Sequence, residues 1–208
     1  MRGFRWFGNA MLVVGFTVVL FAVYQLIGTS AIANGHQAEA RAAFARVEPS
    51  QAHEVQPLPS IKGGPLVVAR LRIPKLELTK IVVEGTNPAD LAYGPGRYRT
   101  SVMPGDPGAV AIAGHRTGWG SPFIDLDRLR RGDEIIIEAA SGTYRYVVRK
   151  TFVVGPGDAW VLEGDRESGN SHRLVLTTCT PRYTSLKRLI VWADQVDPTP
   201  VVPDGGEL

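Results

Sequence analysis

Cys179 is the single cysteine of this 208-residue chain, so no intrachain disulfide can occupy its sulfur. It ends the run Leu174-Val175-Leu176-Thr177-Thr178-Cys179-Thr180, with Pro181 next and Arg188 nine positions on in Arg188-Leu189-Ile190-Val191. His115 lies far upstream, in Ala113-Gly114-His115-Arg116-Thr117. A thiol attacks a carbonyl only as the thiolate, and needs a cation that lowers its pKa or a base that takes its proton. One sulfur, one imidazole and one permanent guanidinium are therefore sufficient for acyl transfer through a thioester. The sulfur forms the bond, the imidazole moves protons, and the guanidinium holds a carbonyl or its oxyanion.

Each of these residues also has a plainer reading. A lone cysteine is usually a small buried hydrophobe, a histidine at a strand end is often packed, and an arginine opening a strand is usually a surface charge. Local context favours chemistry at Cys179. Thr177, Thr178 and Thr180 make its surroundings partly polar, and Pro181 ends the strand, placing the thiol at a rim. Of the other histidines, His36 follows the apolar N-terminal run, His53 lies in a Pro-rich stretch, and His172 sits in the polar turn Gly169-Asn170-Ser171-His172-Arg173. Only His115 ends an apolar strand. No metal or cofactor is expected. Asp125, Asp127 and Asp133-Glu134 do not match a calcium-loop spacing, one cysteine cannot build a zinc-thiolate site, and no Gly-rich phosphate loop is present.

The elements that must position these groups begin at residue 66, after two appendages. Trp6 to Ala38 contains no Asp, Glu, Lys or Arg, and Arg2 and Arg5 precede it. A run this long can cross a bilayer as a helix, and the flanking arginines place the N-terminus in the cytoplasm. A cleaved signal peptide is the competing reading, with Thr29-Ser30-Ala31-Ile32-Ala33 as its small-residue site. We expect residues 1–35 to be the cytoplasmic tip and anchor, 36–65 an exposed helical stalk and flexible linker, 66–197 the catalytic domain and 198–208 a frayed tail. This layout puts the domain outside the cell, where a spare thiol has no reducing pool. The net charge of +3 comes from scattered residues, without the basic stripe that nucleic-acid binding requires.

Strands are expected at 66–73, 80–84, 108–114, 134–138, 143–154, 174–178 and 187–196, each bounded by Gly, Pro or Asp turn signals. Short capped helices are expected after Asn87 and over Ser121 to Leu129. Many short strands with only brief helices imply an all-β, closed or nearly closed architecture.

At these residues the chain resembles the sortases, the membrane-anchored cysteine transpeptidases of Gram-positive surfaces. The similarity runs from Leu66 to Val196 and rests on three motifs in order. Tyr93-Gly94-Pro95-Gly96 with Tyr98 precedes Ile112-Ala113-Gly114-His115-Arg116-Thr117, and Leu176-Thr177-Thr178-Cys179 precedes Arg188. The cysteine motif is one residue shorter between Leu and Cys than its strictest form, and Ala109-Val110 stands where relatives often have Gly-Asn. The Ala-Gly-His-Arg-Thr and Thr-Cys-x-Pro elements are most similar to class E sortases of actinobacteria.

The resemblance implies an eight-stranded sortase β-barrel with His115, Cys179 and Arg188 converging on a groove as catalytic residues, and Thr178 lining that groove for substrate. It implies secreted proteins with C-terminal LPXTG-like sorting signals as partners, with alanine favoured at the second position in class E. The acyl acceptor would be an amine of a cell-wall precursor or a pilin. Two rivals stand beside it. An L,D-transpeptidase also uses Cys, His and Arg, but its motif has glycine before the thiol, where this chain has Thr178. An anchored β-domain that only binds a partner would leave the thiol unreactive.

Overall fold

In the computed structural model residues 2–46 and 58–197 are described, and the expected tail and residues 47–57 of the expected linker lie outside them. Eight strands form a closed barrel in the order β1-β2-β3-β4-β7-β8-β6-β5. Their ranges are β1 Val67–Ile73, β2 Leu78–Glu84, β3 Gly96–Arg97, β4 Gly108–Ala113, β5 Glu134–Ala139, β6 Gly142–Val154, β7 His172–Thr180 and β8 Lys187–Asp197. The all-β expectation therefore holds. What the strand reading missed is β3, whose two residues sit inside the Gly-Pro-Gly segment and carry no alternation to detect.

Side chains alternate between the faces of a strand, and here the alternation sorts core from site. Val110 and Ile112 of β4, Leu174 and Leu176 of β7, and Leu189 and Val191 of β8 point into the main core. The residues between them face outward. Ala109, Ala111, Val175, Ile190 and Trp192 form a second apolar cluster outside the barrel, covered by the 3-10 segment Ala159–Glu163. Trp192 Nε1 donates to the Val161 carbonyl at 2.8 Å and pins this cover.

The segment 121–129 is not a helix. Only Leu126–Arg128 closes a 3-10 turn. Phe123, Leu126 and Leu129, three residues apart and fully buried, match the three-residue turn of a 3-10 segment better than an α-helical stripe.

Two helices precede the barrel. α1 (Arg2–Val23) passes through a π-helical turn, Tyr24–Gly28, into α2 (Thr29–Phe44). The window Trp6–Val23 has mean hydropathy 2.0, is none of it buried, and is long and apolar enough to cross a membrane. The expectation of an exposed stalk from residue 36 is corrected by α2. Thr29, Ala33, Gln37, Ala40 and Ala43 make a buried stripe along it, at the three- and four-residue spacing of one helix face. Ala40 and Ala43 pack on Ile61, Val67, Ile81 and Val83. The stripe escaped notice because small and polar residues build it, and small side chains let the helix backbone approach the sheet. The C-terminal part of the expected linker is likewise held, with Ile61 buried and Ser60 bridged to Leu66. The third helix, α3 (Pro88–Leu91), starts at Asn87 as expected, and the Asn87 N–H donates to the Asp90 carboxylate at 3.2 Å.

Candidate active site

Strand directions bring the three expected residues to one end of the barrel. β7 pairs antiparallel with β8, and Cys179 is directly opposite Arg188. Directly opposed residues share a face, with Cβ atoms about 4.5–5.5 Å apart. On its other side β7 pairs parallel with β4, Ala113 against Thr177. Gly114 continues that ladder, its N–H donating to the Thr177 carbonyl at 3.1 Å, so His115 follows on the side of Cys179. Both side chains belong to the outward set, with Ala113 and Thr177 before them. The three residues therefore share one face and one end.

The local supports are visible. Gly114 must be glycine, because a Cβ there would lie 2.6 Å from the Phe123 ring. That close packing seats the buried Phe123, whose N–H donates to the His115 carbonyl at 3.0 Å and closes the loop that begins with the histidine. Arg188 Nη1 donates to the carbonyls of Ser185 and Lys187 at 3.0 and 3.1 Å, which holds the guanidinium against the β7–β8 loop. Cys179 is a partly exposed free thiol. The imidazole is partly buried, its Nε2 has no hydrogen-bond partner, and desolvation lowers its pKa below the usual value. A neutral imidazole with an uncommitted nitrogen is suited to accept a proton.

A groove of about 200 Å3 runs beside this cluster, lined by Tyr98, Thr177, Arg188, Ile190, Leu162 and the turn Gly155-Pro156-Gly157 among others. Thr178, expected in the groove, is turned the other way. It does not line the groove, and its hydroxyl donates to the Gly114 carbonyl at 2.7 Å. It ties β7 to the strand end that delivers His115, as the alternation demands for a neighbour of the outward-facing Cys179. The groove threonine is Thr177, whose Oγ1 is 3.1 Å from the Tyr98 hydroxyl. Counting back two from Cys179 would have found it.

A second set missed by sequence reading is an ion-pair chain between the two loops of the site. Arg116, 4% exposed, meets Asp127 at 2.9 Å, and Arg182 meets Asp125 at 3.0 Å and Asp127 at 3.6 Å. The acidic residues that could have suggested a cation site are thus engaged by arginines, and Asp133 by Lys75 at 2.7 Å. No group of three or more His, Cys, Asp or Glu able to hold a metal occurs among the described residues.

Comparison with known proteins finds that residues 71–196 match the sortase domain. The chain belongs to the sortase family. It is 31% identical to sortase E2 of Streptomyces coelicolor, over 91% of this chain and 80% of that protein. It is 29% identical to sortase E1 of the same organism, over 94% of this chain, and spans 58% of that relative's length. Among solved structures, sortase E1 of S. coelicolor with a tripeptide in its active site superposes with a TM-score of 0.59 at 32% identity, covering 65% of this chain and 90% of that one. Sortase E of Streptomyces avermitilis gives 0.59 at 36% identity, covering 70% and 95%. The matched region takes in β4, β7 and β8, so the sortase domain carries all three candidate residues.

Proposed function

We propose that this sortase is a membrane-anchored cysteine transpeptidase acting on a C-terminal LPXTG-like or LAXTG-like sorting signal of secreted proteins. His115 takes the thiol proton of Cys179, and the sulfur attacks the threonine carbonyl to form a tetrahedral oxyanion, which the Arg188 guanidinium holds. The C–N bond to glycine breaks as His115 gives its proton to the departing amine, leaving a thioester on Cys179. An amine of the cell wall or a pilin then loses a proton to His115 and attacks the thioester, and the released sulfur takes that proton back. Each role needs no cofactor. α1 crosses the membrane with its N-terminus in the cytoplasm and the barrel outside, which concentrates enzyme and substrates in one layer.

The observation that carries this reading is the cross-strand pair of Cys179 and Arg188 with His115 following the parallel neighbour strand. The test is the full chain in detergent micelles, given a peptide library around both signals and a small primary amine, read by mass. Cleavage before glycine and an acyl adduct on Cys179 are the expected results. Cys179→Ala abolishes the adduct, and Arg188→Lys loses turnover because an ammonium lacks the planar fork. Parental cleavage by Cys179→Ala refutes the assignment.

A further inference from the structure

α1 leaves the barrel beside the loop that carries the histidine. Thr29 opens α2, and its Oγ1 accepts from the Trp119 N–H at 3.3 Å. A Cβ placed on Gly120 would be 3.6 Å from the Ala33 side chain. Trp119 and Gly120 lie in the loop closed by the hydrogen bond from Phe123 to His115. From Trp6 to Tyr24 no helix residue is buried, and among the described residues the first buried one is Thr29, at this loop. Thr29 is six residues past Val23, the end of the apolar window, or about 9 Å along a helix. A headgroup layer is about 5–7.5 Å thick on each side of the hydrocarbon. The histidine loop therefore stands at the outer limit of the headgroups if α1 spans the bilayer.

The neighbouring loop has the surface for that position. Outside α1, the most exposed large apolar side chains among the described residues are Tyr183 at 76% and Leu186 at 71%. Both belong to the β7–β8 loop. Arg182 of that loop is salt-bridged to Asp125 and Asp127, which follow the histidine loop, so the two loops stand side by side. Arg182 and Lys187 flank the pair. A tyrosine and an aliphatic residue with basic neighbours are the composition of a membrane interface, where amphipathic rings and cations sit at headgroup level.

We infer that the β7–β8 loop rests on the outer leaflet, with Tyr183 and Leu186 in the interfacial layer of the phospholipid bilayer, so that the Cys179 groove opens at headgroup height. This inference depends on the reading of α1 as an anchor. Acyl acceptors carried on lipid would then meet the thioester without leaving the membrane surface, and the loop would set the height of the groove.

The test uses the full chain carrying Cys179→Ala, reconstituted in phosphatidylcholine–phosphatidylglycerol vesicles. Leu186→Cys, Phe16→Cys and Ser171→Cys are each labelled with a bimane fluorophore. Ser171 precedes β7, eight residues from Cys179, or about 26 Å along the strand. Nitroxides at shallow and deep positions of the lipid chains, and aqueous iodide, serve as quenchers. The expected result is deep-nitroxide quenching at residue 16, shallow-nitroxide quenching at residue 186 several-fold above that at residue 171, and iodide quenching at residue 171. Deep quenching at 16 with equal iodide access at 186 and 171 overturns the inference and leaves the anchor standing. Iodide access at 16 overturns both.

Discussion

Replacing Gln37 by methionine keeps the volume of the side chain and removes its amide. In the fold that amide closes a gap in the barrel. β2 pairs with β1 along its length, but β3 meets it only at Val83 and Glu84, so the earlier part of β2 has one side without a strand. Gln37 fills the place of the missing neighbour. The Ile81 N–H donates to its Oε1 at 2.9 Å, and its Nε2 donates to the carbonyls of Ile81 at 3.0 Å and Tyr93 at 2.6 Å. The side chain is 2% exposed, so these bonds are made away from water. At about 0.5–1.5 kcal/mol net for each, three bonds contribute about 1.5–4.5 kcal/mol to docking α2. A tenfold change in an equilibrium corresponds to about 1.4 kcal/mol. Amides of α2 that exchange by undocking should therefore exchange about 10- to 1,000-fold faster in Gln37→Met, read by hydrogen-exchange mass spectrometry on the full chain in micelles. Strands on the far side of the barrel, such as β6, should exchange at parental rates.

An independent change should give the same pattern. In Gly94→Ala the new Cβ would lie 2.3 Å from Gln37 Nε2, at a backbone φ of +147 that side chains rarely adopt. Unchanged exchange in α2 for both variants would refute the view that Gln37 docks the helix. Equal acceleration in α2 and β6 would show instead that the amide supports the whole barrel.

Three further outcomes follow from the same geometry. Glu84 and Arg97 form a buried bidentate pair, Nη2 to Oε1 at 2.7 Å and Nε to Oε2 at 2.9 Å, so Glu84→Gln should cost about 3–5 kcal/mol in denaturant unfolding. A loss below about 1 kcal/mol would mean the guanidinium is satisfied by the carbonyls of Ser101 and Val102 alone. Burial lowers the His115 pKa in the fold, so the folded state binds its proton less readily than the unfolded chain, and stability falls as pH drops through about 6.5 towards the folded value. His115→Gln should flatten that part of the stability curve, and an unchanged slope assigns it to other groups. Arg182→Gln breaks partly exposed salt bridges and should change stability by less than about 1 kcal/mol. Turnover should nevertheless fall several-fold as the two loops of the site decouple, and parental kcat would show that they are held by other contacts.

Where one residue type dominates the local physics, the sequence was sufficient. Strands with apolar alternation and Gly or Pro ends were legible, and so was an uncharged N-terminal run. The strand ends at which Cys179, His115 and Arg188 sit were legible from apolar runs, and their meeting at one end of the barrel was expected from the family resemblance. Some misreadings come from long-range contacts and others from local geometry. α2 looked exposed because Thr29, Ala33, Gln37, Ala40 and Ala43 carry little apolar weight, and Gln37 owes its burial to the free side of β2. β3 is too short for any period. Thr178 was placed by adjacency to Cys179, although neighbours on a strand face opposite ways. Arg116 and Arg182 gave no local sign of the pairing that links their loops.

The site depends on β7 having one parallel and one antiparallel neighbour. A parallel partner ends where β7 ends, so the residue after β4 arrives beside the residue at the end of β7. An antiparallel partner begins where β7 ends, so the first residues of β8 arrive there too. Three groups separated by 64 and nine positions thus share one rim without a long loop to carry any of them. Which face they share is fixed by Leu174, Leu176, Leu189 and Val191, whose burial in the core forces their neighbours outward. A slip of β7 by one residue against its neighbours would move Leu174 and Leu176 to the surface and turn Cys179 inward. The register that brings the three candidate residues together is therefore the one that fills the core, and the candidate face is held in place by the apolar face behind it.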